Sequence, residues 1–423
     1  MPFSKLSIHT DLFTTLNKLN YKDPTPVQNK VMPKIAEGID LRVSAPTGTG
    51  KTAAFLLPAI TRLINNPASN KNPRVLILVP TRELAIQVNT QAKKYSESLK
   101  KMKTACIYGG VPYHQQSRDL MRHPEIIIAT PGRLIDYLNR GKLSLKDIEM
   151  LILDEADRML DMGFYEPVLE IIETMPSTRQ TLLFSATLKG NVLEFSKKLL
   201  NENFLEININ IEFDEKENID QRIHYVDNIH HKNKILDHLL QDSNMKQVIV
   251  FTATKRQADE LTENLKEMNH SAAKLHGDMN QRQRTKTIML LRKGKYRILV
   301  ATDVAARGID IKTISHVINF DLPRNPEDYV HRIGRTARAG AKGTCFSFAT
   351  SREKQLVTSI EKFTKQAMTC DVIPGLEPKK QSPKKNFAQK PRFNQKKSFS
   401  KPQRNQKNTF SQRNNKKKYI KKF

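Results

Sequence analysis

Seven strand-length apolar runs constrain this chain more than anything else in it: RVLILVP from Arg74, EIIIAT from Glu125, MLILDE from Met150, QTLLFSAT from Gln180, QVIVFTAT from Gln247, RILVATD from Arg297 and HVINFD from His316. Successive residues in each run are apolar, so a strand built from it hides both faces. Strands covered on both sides belong to parallel sheets, and the helix-like segments between the runs provide the crossovers. The pattern breaks once, at the polar and acidic stretch ININIEFDEKENIDQ of 207–221. This reading gives an α/β fold with two domains, 1–205 and 219–370, joined by a linker at 206–218. At 423 residues the chain exceeds what one core usually organises.

Charge is distributed unevenly. Residues 379–423 hold 17 Lys and Arg with no Asp or Glu, so +17 of the +28 net charge sits there and +11 remains on 1–378. From 371 onward the composition is dominated by Lys, Asn, Gln, Ser and Pro, too little apolar surface to offset ordering entropy, and a disordered basic tail is expected. A cationic excess on this scale points to a polyanion, because each neutralised phosphate releases counterions. Cys106, Cys345 and Cys370 lie far apart with no CxxC or Cys/His spacing, which argues against a disulfide framework or structural zinc and fits a reducing compartment. The opening MPFSKLSIHTDLF has no apolar leader, and runs such as VLILV at 75–79 are much shorter than a membrane span. A soluble, cytoplasmic protein without a membrane partner is expected.

Two short segments carry the chemistry. Ala45, Pro46, Thr47, Gly48, Thr49, Gly50, Lys51 and Thr52 fit the phosphate loop, with Ala45 where the pattern begins with glycine. Gly48 and Gly50 let the backbone curl so that its N–H groups and the following helix N-terminus face phosphate oxygens. Lys51 would reach the β and γ phosphates, and Thr52 would offer its hydroxyl to magnesium. A glycine turn capping a helix would satisfy the same spacing. About a hundred residues on, LILDEADRML crowds Asp154, Glu155 and Asp157 after an apolar run. Carboxylates this close repel unless a cation neutralises them. A metal held at Asp154, with Glu155 as base for an attacking water, meets that need; Asp157 could equally cap the next helix.

DEAD at 154–157 with APTGTGKT at 45–52 resembles the DEAD-box family of ATP-dependent RNA helicases. The remaining motifs come in family order: YKDPTPVQ at 21, PTREL at 80, GG at 109, TPGR at 130, SAT at 185, VIVF at 248, QRQR at 281, ATDVAARGID at 301 and HRIGRTAR at 331. The likeness spans residues 3 to 370 and is similar to the bacterial RhlE-like branch. It implies two tandem RecA-like domains and ATP with Mg2+ as cofactors. Gln28 would read adenine, with Phe3 and Tyr21 nearby and Phe3 packed close to the ring. Asp303 would approach the ribose and Arg335, while Arg335 and Arg338 resemble arginine fingers on the γ phosphate. Asp157, Ser185, Thr187 and His331 resemble the element that couples hydrolysis to strand separation. Asn20 and Ala337 stand where the family usually has glycine, and asparagine tolerates left-handed backbone angles.

The resemblance also implies sequence-independent RNA contact through Arg82, Gly110, Thr130 and Arg133 in the first domain. Thr252, Gly277, Arg284, Thr302 and Gly308 are the second-domain candidates. Phe387, Phe393 and Phe399 recur amid lysines in the tail, a mixture suited to stacking bases while neutralising phosphates. A monomer acting on RNA is expected, with ribosomal precursors or RNA decay machinery as candidate partners. Two other readings use the same residues: a DNA-dependent helicase or ATPase, and a non-enzymatic RNA chaperone whose basic tail anneals strands.

Overall fold

The computed structural model describes residues 3–46, 48–67, 71–99, 102–188, 190–209, 219–306, 311, 313–336 and 342–379. Its first half builds a parallel sheet from β1 (Leu41–Ser44), β2 (Val75–Leu78), β3 (Thr104–Ile107), β4 (Ile126–Ala129), β5 (Met150–Leu153), β6 (Gln180–Ser185) and β7 (Leu205–Asn208), in spatial order 3-4-2-5-6-1-7. Helices α1 (Thr10–Lys18), α2 (Pro26–Ala36), α3 (Lys51–Asn65), α4 (Arg82–Tyr95), α5 (Tyr113–Leu120), α6 (Pro131–Asn139), α7 (Ala156–Asp161), α8 (Tyr165–Glu173) and α9 (Asn191–Leu199) surround it.

The second half repeats the arrangement. Strands β8 (Ile219–Val226), β9 (Val248–Phe251), β10 (Ala272–Leu275), β11 (Ile298–Ala301), β12 (His316–Asn319), β13 (Gly343–Thr350) and β14 (Thr369–Cys370) take the order 10-11-9-12-13-8-14, the first order with seven added to each strand. Between them run α10 (Ile229–Leu240), α11 (Lys255–Glu267), α12 (Gln281–Arg292), α13 (Asp303–Ala306), α14 (Pro326–Ile333) and α15 (Lys354–Thr364).

The continuous apolar runs follow from covering on both faces. Val75 and Ile77 of β2 point into one buried cluster with Phe55 and Phe184, while Leu76 and Leu78 point into another with Leu134 and Phe195. The strand partners are all parallel, so every carboxyl end of a sheet lies on the same edge. In open α/β sheets that edge is where ligands bind.

Two boundaries move. The linker expected from 206 begins inside β7, whose Leu205–Asn208 pairs with Leu41–Ser44 of β1, and Ile207 and Ile209 are buried in the first core. Packed chain also continues beyond 370. Asp371 donates its N–H to the Ile223 carbonyl, Ile373 is buried, and Leu376 packs on the cluster around α10, so the compact unit reaches Pro378. Residues 210–218 and 380–423 lie outside the described residues.

Candidate active site and nucleic-acid interface

The loop after β1 turns into α3 through Gly50, whose φ of 91° is open to glycine and costly for other residues. Gly48 has φ 89°. Thr49 Oγ1 donates to the Pro46 carbonyl at 2.9 Å, closing the loop on itself. Lys51 is 7 % exposed, and its Nζ donates to the Ala45 carbonyl at 2.8 Å, so the ammonium rests on its own loop. Thr52 is half-buried one residue into α3. Thr47 lies outside the described residues.

Gln28 links the loop to the element before it. Its Oε1 accepts the Thr25 N–H at 2.9 Å, capping α2, and its Nε2 donates to the Gly50 carbonyl at 3.2 Å. A Cβ on Gly50 would stand 2.6 Å from that Nε2, so this approach requires glycine. Asn20 does adopt the left-handed region, with φ 58°. Phe3 is buried in the first core, edge-on to Tyr21 with ring centroids 6.0 Å apart.

The acid cluster follows β5. Asp154 is 3 % exposed, accepts the Glu155 N–H at 3.0 Å, and has its pKa raised to about 6 by burial, with Lys51 working in the opposite direction. Glu155 starts α7 from the left-handed region, with φ 55°. Its Oε2 is buried without a hydrogen-bond partner among the described residues. One turn on, Asp157 Oδ2 accepts from the N–H groups of Ala186 and Thr187, each at 3.2 Å, and from Thr187 Oγ1 at 3.3 Å. Ser185 Oγ donates to the Thr187 carbonyl at 2.6 Å. Asp157 is therefore committed to the loop after β6, which joins the acid cluster to the SAT segment.

From the second half, α14 brings Arg335, His331 and Arg332 to a small cavity shared with Asp303, Asp328 and Arg158. Arg335 is 7 % exposed, and its Nε donates to the His331 carbonyl at 3.3 Å. Asp303 pairs bidentately with Arg332, at 2.6 and 2.7 Å, and lines the same cavity as Arg335. Arg332 also donates to Asn319 Oδ1 at 3.1 Å and lies over the Phe251 ring. Held by a strand, a ring and an acid, it is a scaffold for the neighbouring site. Arg338 lies outside the described residues.

The expected RNA contacts divide. Arg82 lies so close over the GG turn that a Cβ on Gly110, whose φ is 84°, would come within 2.2 Å of its Nη1. Thr130 is the N-cap of α6, with its N–H on the Ile107 carbonyl. Arg133 stacks on Tyr113 at 4.1 Å and donates to the Val111 carbonyl at 3.1 Å, bracing the same turn. Thr252 and Thr302 follow β9 and β11, and Gly277 follows β10, on the carboxyl edge of the second sheet. Gly308 lies outside the described residues. Arg284 departs from expectation. It is 7 % exposed, pairs with Glu83 of α4 at 2.8 Å, and also donates to the carbonyls of His276 and Ala305. The structure uses it to bind the two halves together, with Gln281 Nε2 on the same Glu83 oxygen at 3.4 Å.

Residues 25–195 match the DEAD/DEAH box helicase family and 231–340 the helicase conserved C-terminal domain. The chain is 41 % identical over 384 residues to the ATP-dependent RNA helicase SrmB of Haemophilus influenzae, covering 90 % of this chain and 87 % of that protein. It belongs to the DEAD-box ATP-dependent RNA helicases. CshA of Geobacillus kaustophilus, another such helicase, is 40 % identical over 368 residues, covering 86 % of this chain and 77 % of its own. Among solved structures, S. cerevisiae Dbp5 bound to RNA and ADP BeF3 aligns with a TM-score of 0.79 at 30 % identity, covering 88 % of this chain and 95 % of that one. Mss116p bound to single-stranded RNA and AMP-PNP aligns at 0.81 and 28 % identity, covering 89 % and 81 %. A Dbp5 variant bound to Gle1 and IP6 aligns at only 0.71 over the same 88 % of this chain.

Glu83, Gln281, Arg158, Asp328, Arg332 and Asn319 were not assigned from the sequence, although Glu83 lies in PTREL, Gln281 in QRQR and Arg332 in HRIGRTAR.

Proposed function

We propose that this helicase closes its two halves around ATP and RNA, locally separates RNA duplexes, and remodels RNA–protein complexes as hydrolysis resets it. The observation that carries this reading is the meeting of α7, with Glu155 and Asp157, and α14, with His331 and Arg335, through one bridging contact between Arg158 and Asp328. Each half alone holds an incomplete site.

The phosphate chain of ATP would displace the Ala45 carbonyl as the partner of Lys51, and the N-terminus of α3 favours the same negative charge. Adenine would meet the remaining donor and acceptor capacity of Gln28, whose amide is already oriented by Thr25 and Gly50. The base is Glu155: its Oε2 is buried and unpartnered, and so is free to take the proton of an attacking water. Arg335 and Arg338 would neutralise charge developing on the γ phosphate. Asp157 transmits the state of the acid cluster to Ala186 and Thr187 through three hydrogen bonds, and Ser185 joins them through the Thr187 carbonyl. The donor set also fits magnesium, since Asp154 is a fully buried carboxyl beside an orphaned Glu155 oxygen. Bound at Thr52 and Asp154, the ion would supply charge neutralisation on the phosphates.

RNA would run along the carboxyl edges of both sheets, past Arg82, Gly110 and Thr130 and then Thr252, Gly277 and Thr302. Contact through small groups and backbone amides to sugar and phosphate makes binding independent of sequence. The proposal extends to one domain per sheet, action as a monomer in the cytoplasm, an RhlE-like placement, and ribosomal precursors or RNA decay machinery as partners. Among the described residues, no helix is long and apolar enough to cross a membrane.

The test is Glu155→Gln. The variant should bind ATP and RNA as the unmodified protein does and lose turnover by about a hundredfold or more, the usual weight of a general base. Turnover near the original rate would contradict the role given to Glu155.

A further inference from the structure

Arg158 lies on the third residue of α7, one turn beyond Glu155, and is 3 % exposed. A guanidinium keeps its charge at any working pH, so a buried one needs a partner. Among the described residues its ion-pair partner is Asp328, with Nη1 to Oδ1 at 3.2 Å and the Asp328 side chain 18 % exposed. The two residues are 170 positions apart, and one belongs to each half.

Their places in the helices give the contact its meaning. Asp328 is in the first turn of α14, and His331, Arg332 and Arg335 follow on that helix or just past its end. Arg158, Asp328, His331, Arg332 and Arg335 all line the same small cavity. Fixing the start of α14 against α7 sets the register in which Arg335 reaches the cavity it shares with Arg158. Resting on the two-halves reading above, we infer that Arg158 and Asp328 are a positioning pair: they latch α14 onto α7 only in the closed arrangement and so align Arg335 for hydrolysis. In an open arrangement both groups would be hydrated. Closure strips water from Arg158, and Asp328 is the carboxylate placed to compensate. A wrongly seated α14 would leave Arg158 buried and unpaired, so the pair also selects against misaligned closure.

Asp328 has a second, purely local use, since a carboxylate in the first turn of a helix suits its dipole. The experiment must therefore separate closure from helix stability. Full-length Arg158→Gln, Asp328→Asn, Asp328→Glu and the double variant Arg158→Gln with Asp328→Asn are compared with the unmodified protein. The readouts are RNA-stimulated ATPase, as KM for RNA and as kcat, energy transfer between dyes on the two halves with AMP-PNP and RNA, and the thermal midpoint without ligands. Each neutralising single variant should raise the KM for RNA about tenfold and lower the closed fraction, roughly one unpaired charge's worth of discrimination. The ligand-free midpoint of Asp328→Asn should stay within a degree or two of the original, on the order of a lost surface-helix charge. Asp328→Glu should recover most of the loss. The double variant should be no worse than Asp328→Asn, because Arg158 is no longer present to be buried without its ion pair.

Wild-type KM and closure in both single variants would overturn the latch. So would a double variant whose losses multiply to about a hundredfold, since independent sites add in free energy. Should Arg158→Gln fail to fold, Asp328→Asn and Asp328→Glu still decide the matter, because Asp328 is partly exposed. An unmodified protein whose hydrolysis ignores RNA would instead defeat the functional reading, and that arm is measured first.

Discussion

Gly110→Ala is the substitution whose consequences the structure prescribes most fully. The residue sits at φ 84°, where an L side chain costs about 1–2 kcal/mol. Its Cβ would also stand 2.2 Å from Nη1 and 2.8 Å from Cζ of Arg82, which no side chain tolerates. The atoms in the way are the far end of a flexible arginine, so the guanidinium swings aside instead of the backbone. The folding penalty should therefore be limited to the backbone cost of about 1–2 kcal/mol, read as a lower denaturant midpoint. The functional penalty should be the loss of Arg82 from the RNA edge, a rise of about tenfold in the KM for RNA. Gly109→Ala, whose Cβ would lie 3.3 Å from Arg82 Nη2 without a positive φ, should fall between Gly110→Ala and the unmodified protein. Gly132→Ala has nothing within 4 Å and should leave the KM unchanged. Combining Gly110→Ala with Arg82→Ala should give the KM of Arg82→Ala alone. A wild-type KM for Gly110→Ala, or a double variant whose effects multiply, would refute the reasoning.

Other outcomes follow from the same geometry. Asp154→Asn should stabilise the protein in chelator: the folded pKa of about 6 lies above the ordinary 3.8, so folding favours the protonated acid. The carboxylate costs nothing below the unfolded pKa and its full amount, about 3 kcal/mol, above the folded one. The gain in thermal midpoint should grow between pH 4 and 7, and a pH-independent gain would contradict it. Gln28→Glu keeps the acceptor that caps α2 but sets a buried carboxylate against the Gly50 carbonyl, so the midpoint should fall and the KM for ATP should rise about tenfold, with the loss of stability relieved at low pH; Gln28→Ala should lower both stability and ATP affinity at every pH. Arg284→Ala should weaken RNA-stimulated turnover as Glu83→Ala does, yet leave the salt slope of RNA binding unchanged, whereas a lost phosphate contact would reduce that slope by about 0.7 to 1.

Strand runs were legible where both faces of the sheet are covered. Ile126, Ile127 and Ile128 alternate between two clusters, so the sequence needs no polar residue there. Edge strands were harder: in β10, AAKL mixes small residues with a half-buried Lys274, and β14 is two residues long. In β7 the alternation of Ile207 with Asn208 reads as polar linker, though one face is buried against β1. Ile373 and Leu376 are sparse apolar anchors in a polar setting, which hid the true end of the packed chain.

The phosphate loop and acid cluster were legible because their chemistry is local, with ligands and backbone turns set by neighbours in sequence. The pairs Arg284 with Glu83 and Arg158 with Asp328 were not, since either arginine alone resembles a solvated surface charge. Their meaning depends on how two sheets meet, which no window of sequence contains. Arg284 illustrates the difficulty: its residue type suits phosphate, and its burial against Glu83 shows only in the folded chain.

The most direct test of the account is steady-state ATP hydrolysis by the purified full-length protein, with and without single-stranded RNA. A site assembled from both halves predicts slow turnover alone and stimulation of about tenfold or more by saturating RNA, abolished in Glu155→Gln. An equal rate with and without RNA would mean that one half cleaves ATP unaided, and the two-part site would be wrong.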